Sequence, residues 1–162
     1  MTRLLSEVQA MQNPALGASL LWRFVCGFSP SASIKGTPLP LAFVVLPLVF
    51  HARSVEEISG TQSGSGLRKF EEKFRDRGDL LLSLQPRMLE MRDLSLRSLR
   101  VGLRAGLLSL VPTEAVLWPR SHASAPAEGQ SVADLLRSAE KLGSWCADLT
   151  LFEVAGILKV EI

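Results

Sequence analysis

PLPLAFVVLPLVFH, residues 38–51, is the densest apolar run in the chain, and from Leu39 to Phe50 it carries no charged or hydrogen-bonding side chain. A membrane-spanning helix needs about 20 apolar residues, so this run falls short even before its prolines are considered. It reads instead as a buried element that other segments pack around, with roughly 1.5–3 kcal/mol gained for each Val, Leu or Phe side chain taken out of water. Thr37-Pro38 opens the run and Pro47 lies inside it, where a proline removes one intrahelical hydrogen bond. A helix kinked at Pro47 is the expectation; a strand that hands on to a helix there is the alternative.

Upstream, Leu4, Leu5 and Val8 suit a short amphipathic turn before Met11. Asn13-Pro14 is a helix start, Asn as N-cap and Pro at the first helical position. Leu16, Leu20, Leu21, Phe24, Val25 and Phe28 then recur at three- and four-residue spacing and bury one face. Gly27 and Pro30 are expected to close this helix, and Ser29 to Thr37 is a loop. Downstream of the run, Ser54 and Glu57 fit a capping box. GTQSGSG, residues 60–66, reads as a flexible connector. Leu67, Phe70 and Phe74 mark a short helix with Arg68, Lys69, Glu71, Glu72, Lys73 and Arg75 outside. Asp79 is placed to cap the next helix, with Leu80, Leu81, Leu84, Met88 and Met91 inward and a break at Pro86.

From Ser95 the pattern changes. Ser95 is placed to cap a helix carrying Leu96, Leu99, Val101 and Leu103, which Gly106 ends. Leu107 to Val111, the turn Pro112-Thr-Glu114 and Ala115 to Trp118 read as a hairpin. Ser121 to Gln130 is a loop, and Ser131 opens a long helix striped by Leu135, Ala139, Leu142, Cys146 and Leu149, with Trp145 beside the stripe. Thr150 and Glu153 form a second capping box before Leu151 to Leu158, and Val160 and Ile162 suit a short edge strand. The fold class is therefore mainly α, a helical bundle with a winged-helix-like unit carrying one small β-hairpin. Residues 1–162 read as a single domain, with an N-terminal helical part at 1–76 and a winged-helix-like part at 77–162.

Among 162 residues, 47% hydrophobic and 21% charged side chains exclude wholesale disorder. A mean hydropathy of +0.23 is high for a soluble monomer and points either to a core large for the chain or to apolar surface covered by a partner. A net charge of +2 is too small to argue for nucleic acid by itself. The N-terminus has no secretory signal, so a cytoplasmic protein without a membrane span is expected. Cys26 and Cys146 are isolated in apolar helical patterns and read as buried free thiols, with a Cys–His nucleophile using His51 the weaker alternative. His51 and His122 stand in unrelated contexts. With no ligand spacing among His, Cys and carboxylates, neither a metal nor another cofactor is expected, nor a catalytic residue. GTQSGSGLRK, residues 60–69, lacks the spacing that sets a lysine on a phosphate.

The arginines carry more information. Arg97, Arg100 and Arg104 are three and four apart and share one helix face, which suits either a solvated face or phosphate contact in a winged helix. Together with Arg68, Lys69 and Glu114 at the hairpin tip, they are the candidate contacts to a partner or to nucleic acid.

Several stretches in order resemble one prokaryotic family, the middle component of three-component ABC-ATPase systems. They are Asn13-Pro-Ala-Leu16 with Leu21-Trp-Arg-Phe24, then PLPLAFVVLPLVFH, Ser65-Gly-Leu-Arg-Lys-Phe70, Leu96 to Leu108, and Ala139-Glu-Lys-Leu-Gly143 leading to Thr150-Leu-Phe-Glu153. The resemblance implies a non-catalytic adaptor beside an ABC-type ATPase and a third component. It further implies a role against phage or mobile DNA, with nucleic acid reached indirectly through the ATPase. A stand-alone winged-helix DNA-binding regulator is the alternative.

Overall fold

Asn13 does what its position predicts. In the computed structural model, which describes residues 13–31, 33–75, 82–123 and 129–162, its Oδ1 accepts from the Ala15 and Leu16 amides at 2.9 and 3.4 Å. Helix α1, Pro14–Phe28, follows, with Leu20, Leu21, Phe24, Val25 and Phe28 buried. Gly27 does not end α1. It lies inside the helix, where a Cβ would stand 2.1 Å from the Glu140 carbonyl oxygen. Gly27 is thus a contact point between backbones, and the chain leaves the helix at Ser29.

The central run divides differently from either expectation. Thr37–Pro38 forms a two-residue strand, β1, followed by a single 3-10 turn at Leu39–Leu41 and helix α2, Ala42–Val49. Pro47 is carried inside α2, and seven of its eight residues are buried. The sharp bend, 100°, falls beyond Pro47, between Leu39–Val49 and helix α3, Ala52–Ser59. Only two residues of α2 follow Pro47, so the proline forfeits one bond near the helix end without breaking it. The expected Ser54–Glu57 box does not start α3: the N-cap is His51, which has no side-chain bond to the helix backbone, and its Nδ1 lies 3.0 Å from the Ser54 hydroxyl.

A 3-10 turn at Ser63–Ser65 leads into α4, Gly66–Arg75, with Gly66 at φ 82°. The connector before it is held by donors. Lys141 Nζ bonds the Ile58 and Thr61 carbonyls, and Trp145 Nε1 donates to the Ser63 carbonyl at 2.9 Å. Leu67 and Phe70 are buried as expected; Glu71, expected outside, is buried with them. Met1 to Met11, Asp79, Leu80 and Leu81 lie outside the described residues.

Helix α5 is Leu84–Glu90 and α6 is Arg92–Arg104, meeting at Met91. Pro86 does not interrupt α5, because it stands in the first turn, where the amides have no intrahelical acceptor. The break comes at Met91 instead. Ser95 is likewise not a cap: it lies inside α6 on the buried face with Leu94, Ser98, Leu99 and Gly102, which turns Leu96 outward.

The hairpin is present as β2, Leu108–Val111, and β3, Val116–Pro119. Leu110 opposes Leu117 and Val111 opposes Val116. Strand β1 adds antiparallel to β3, Thr37 opposite Leu117, so the sheet order is β1-β3-β2. Helix α7, Gln130–Ala147, follows, then α8, Leu151–Leu158, which opens with the predicted capping box of Thr150 and Glu153. Val160 is buried but forms no strand: the residues after α8 have no sheet pairing. Helix α1 packs against both α6 and α7, and α2 closes one end of that layer. The result is a mainly helical fold with a small three-stranded antiparallel sheet.

Candidate interaction surface

Three anchors tie the frame together. Arg23 on α1 pairs with Glu140 on α7, and its guanidinium lies 5.1 Å from the centre of the Trp22 ring. Trp22 Nε1 donates to the Ser121 carbonyl at 2.8 Å. Lys35 Nζ reaches the Ala147 and Leu149 carbonyls at the end of α7, tying the loop before β1 to that helix. The Trp22 bond gives the polar end of a buried indole the partner that burial demands.

Against this frame, the short helix α5 crosses the start of the central run. Arg87 Nη1 donates to the Pro47 carbonyl at 2.8 Å, while its Nε and Nη2 are buried without a partner. Burial lowers the Arg87 pKa, and lowers that of His51, where Arg87 and Arg53 add repulsion. The Gln85 Oε1 accepts from the Glu161 amide at 2.8 Å, which holds residues 161–162 across α5. Between these pieces opens a cleft of about 380 Å³, lined by Leu39, Pro40, Phe43, Gln85, Met88, Leu89, Arg92, Glu161 and Ile162. Its rim is apolar and open to solvent: Leu89 is 65% exposed and Ile162 46%.

Helix α6 continues from that rim. Its inner face lies on α1, where Gly17 lets the helices approach so closely that a Cβ would stand 2.0 Å from the Ser98 Oγ. Its outer face carries Arg92, Leu96, Arg97, Arg100 and Arg104, all exposed. None of these arginines has an acidic partner among the described residues, so the whole row is available to something else.

The other expected contact residues are placed apart from this row. Arg68 on α4 pairs with Glu153 at 3.3 Å, and Lys69 reaches Glu72 at 3.5 Å. Both pairs are exposed. Glu114 is exposed in the hairpin turn, where Ala115 adopts φ 52°. Helix α4 packs on α7 and α8 whereas α6 packs on α1, so Arg68 and Lys69 do not join Arg97, Arg100 and Arg104 in one site. The cleft itself went unread in the sequence. Its signal was Leu89, an apolar residue off the inward stripe of α5.

Nucleophilic chemistry finds no footing here. Burial pushes the Cys26 thiol up to about 11 and the Cys146 thiol up to about 12. Cys26 donates to the Ser121 carbonyl and His51 lies against Ser54, so the alternative Cys–His pair does not form. Among the described residues, no group of three or more His, Cys, Asp or Glu is arranged to hold a metal ion. No single described helix is long and apolar enough to cross a membrane.

A family model, ABC-three component (ABC-3C) system Middle Component 3, matches residues 1–162. The chain belongs to that family. No curated protein and no solved structure matches it. A middle component is one subunit of a multi-component ABC system, and protein partners follow from that membership.

Proposed function

We propose that the chain is a non-catalytic adaptor, working as one domain in the prokaryotic cytoplasm, that joins an ABC-type ATPase to the third component of its system. The match along residues 1–162 carries this reading. It is supported by thiols that burial keeps protonated, since a protonated thiol is a poor nucleophile. The adaptor passes the nucleotide-driven shape change of the ATPase to the effector, in defence against phage or other mobile DNA. Arg97, Arg100 and Arg104 on α6 are its first contacts, with Arg68, Lys69 and Glu114 serving a second partner. Co-expression with the neighbouring open reading frames, followed by size-exclusion chromatography, tests it. Co-elution with the ATPase or the third component is expected; separate elution of all three would sink the adaptor.

A second reading, a DNA-binding regulator, draws on the same unpaired arginines. It requires salt-dependent binding of duplex DNA by the isolated chain, weakened by Arg97→Ala with Arg100→Ala. The adaptor reading expects no such binding.

A further inference from the structure

We infer that the cleft beside α5 seats an acidic amphipathic helix of a partner subunit, its apolar stripe against Leu89 and its carboxylates on the arginines of α6. The inference rests on the adaptor reading and adds the chemistry of the segment that is held.

Continuity of the surface comes first. Arg92 lines the cleft and is also the first residue of α6. Arg92, Leu96, Arg100 and Arg104 follow at four-residue steps, so they form one row along the helix, with Arg97 beside it. From Arg92 to Arg104 the row runs about 18 Å at 1.5 Å per residue, the length of a three-turn helix. Exposed Leu96 stands between Arg92 and Arg100 in the row, and exposed Leu89 lines the cleft with Arg92. A helix with leucine-like anchors at three- and four-residue spacing and Glu or Asp between them complements that order.

Charge then decides among occupants. Arg92, Arg97, Arg100 and Arg104 outnumber Glu90, Asp93 and the cleft-lining Glu161, and none of the four has an acidic partner among the described residues. A second copy of the chain would set this row against itself, since a two-fold interface pairs like patches. Arginine against arginine is repulsive, which disfavours self-association here. A nucleic-acid backbone would satisfy the cations but leave Leu89, Leu96 and the apolar cleft uncovered. An acidic amphipathic helix satisfies both.

The test uses the full chain co-expressed with the ATPase and the third component. Leu89→Asp, and separately Arg97→Glu with Arg100→Glu, are compared with wild type and with Phe152→Asp on exposed α8. Because these residues are exposed, thermal unfolding should match wild type. Affinity for the partner should drop at least about tenfold with Leu89→Asp and with the double reversal, as for central contacts. Phe152→Asp should bind normally. The effect of the double reversal should shrink in about 0.5 M salt, where charges are screened, while that of Leu89→Asp persists. Hydrogen exchange on the wild-type complex should show protection over residues 84–104, a readout independent of the variants. Unchanged affinity in both variants, or no protection over 84–104, overturns the cleft while the adaptor stands. Failure of wild type to co-elute overturns both. Duplex DNA binding lost with the double reversal but not with Leu89→Asp also overturns it and assigns the row to nucleic acid.

Discussion

Gly143 sits where α7 crosses α1, and a Cβ there would stand 2.0 Å from the Phe24 carbonyl oxygen. Gly27 meets α7 from the other side in the same way. Backbone cannot swing aside as a side chain can, so Gly143→Ala forces the helices apart. Overpacking usually costs about 1–3 kcal/mol, and a backbone clash belongs at or above the top of that range. Gly156 is the contrasting case: it lies within α8 with nothing within 4 Å of an added Cβ. Gly156→Ala removes backbone freedom from the unfolded chain and should stabilise by roughly 0.5–1 kcal/mol. Urea denaturation of the two variants checks the pair, and equal effects would refute the close crossing of α1 and α7.

Elements hold their ends by a few named bonds. At the start of α8, the Thr150 hydroxyl accepts from the Glu153 amide at 3.1 Å and the Glu153 carboxylate accepts from the Thr150 amide at 3.1 Å. The Thr150 amide first, then the Thr150 hydroxyl, and then Arg68 hold the Glu153 carboxyl below its ordinary 4.5. Because its folded pKa is the lower one, its contribution is present above about pH 4.5 and is lost as pH falls through the folded value. Thr150→Ala removes the hydroxyl and keeps the amide, so it should raise the Glu153 midpoint part of the way toward 4.5, and Arg68→Ala should raise it as well. Carbon-detected NMR titration of the side chain reads both shifts; a midpoint unmoved by Thr150→Ala would show that the Thr150 hydroxyl does not support the carboxylate in solution.

At the scale of the molecule, α1 lies against both α6 and α7, and each cysteine sits on this central assembly, Cys26 on α1 and Cys146 on α7. Their thiols are buried and stay protonated well above neutral pH. A disulfide-forming reagent should find Cys146 only when the core opens, so its labelling rate under native conditions should track global unfolding. Adding denaturant should then raise that rate in step with the fall in stability. Rapid labelling of Cys146 in the native protein would mean that α7 leaves the core on its own.

The local signals in this chain were sufficient wherever one bond or one turn decides the outcome. Asn13-Pro14 starts α1, Thr150 and Glu153 start α8, and the turn around Pro112 separates two strands, because each depends on residues within four positions of one another. The periodic leucines and phenylalanines of 16–28 likewise named their own buried face. Other features depended on what packs across the chain. Pro47 stays inside α2 because it stands near that helix's end, and Pro86 inside α5 because it stands in the first turn. Thr37 and Pro38 become a strand only because β3 lies beside them. The cleft joins residues 39–43, 85–92 and 161–162, which are distant in sequence and meet only after the bundle closes. Caps and periodicity act over one or two helical turns, whereas a surface belongs to elements that only tertiary packing brings together.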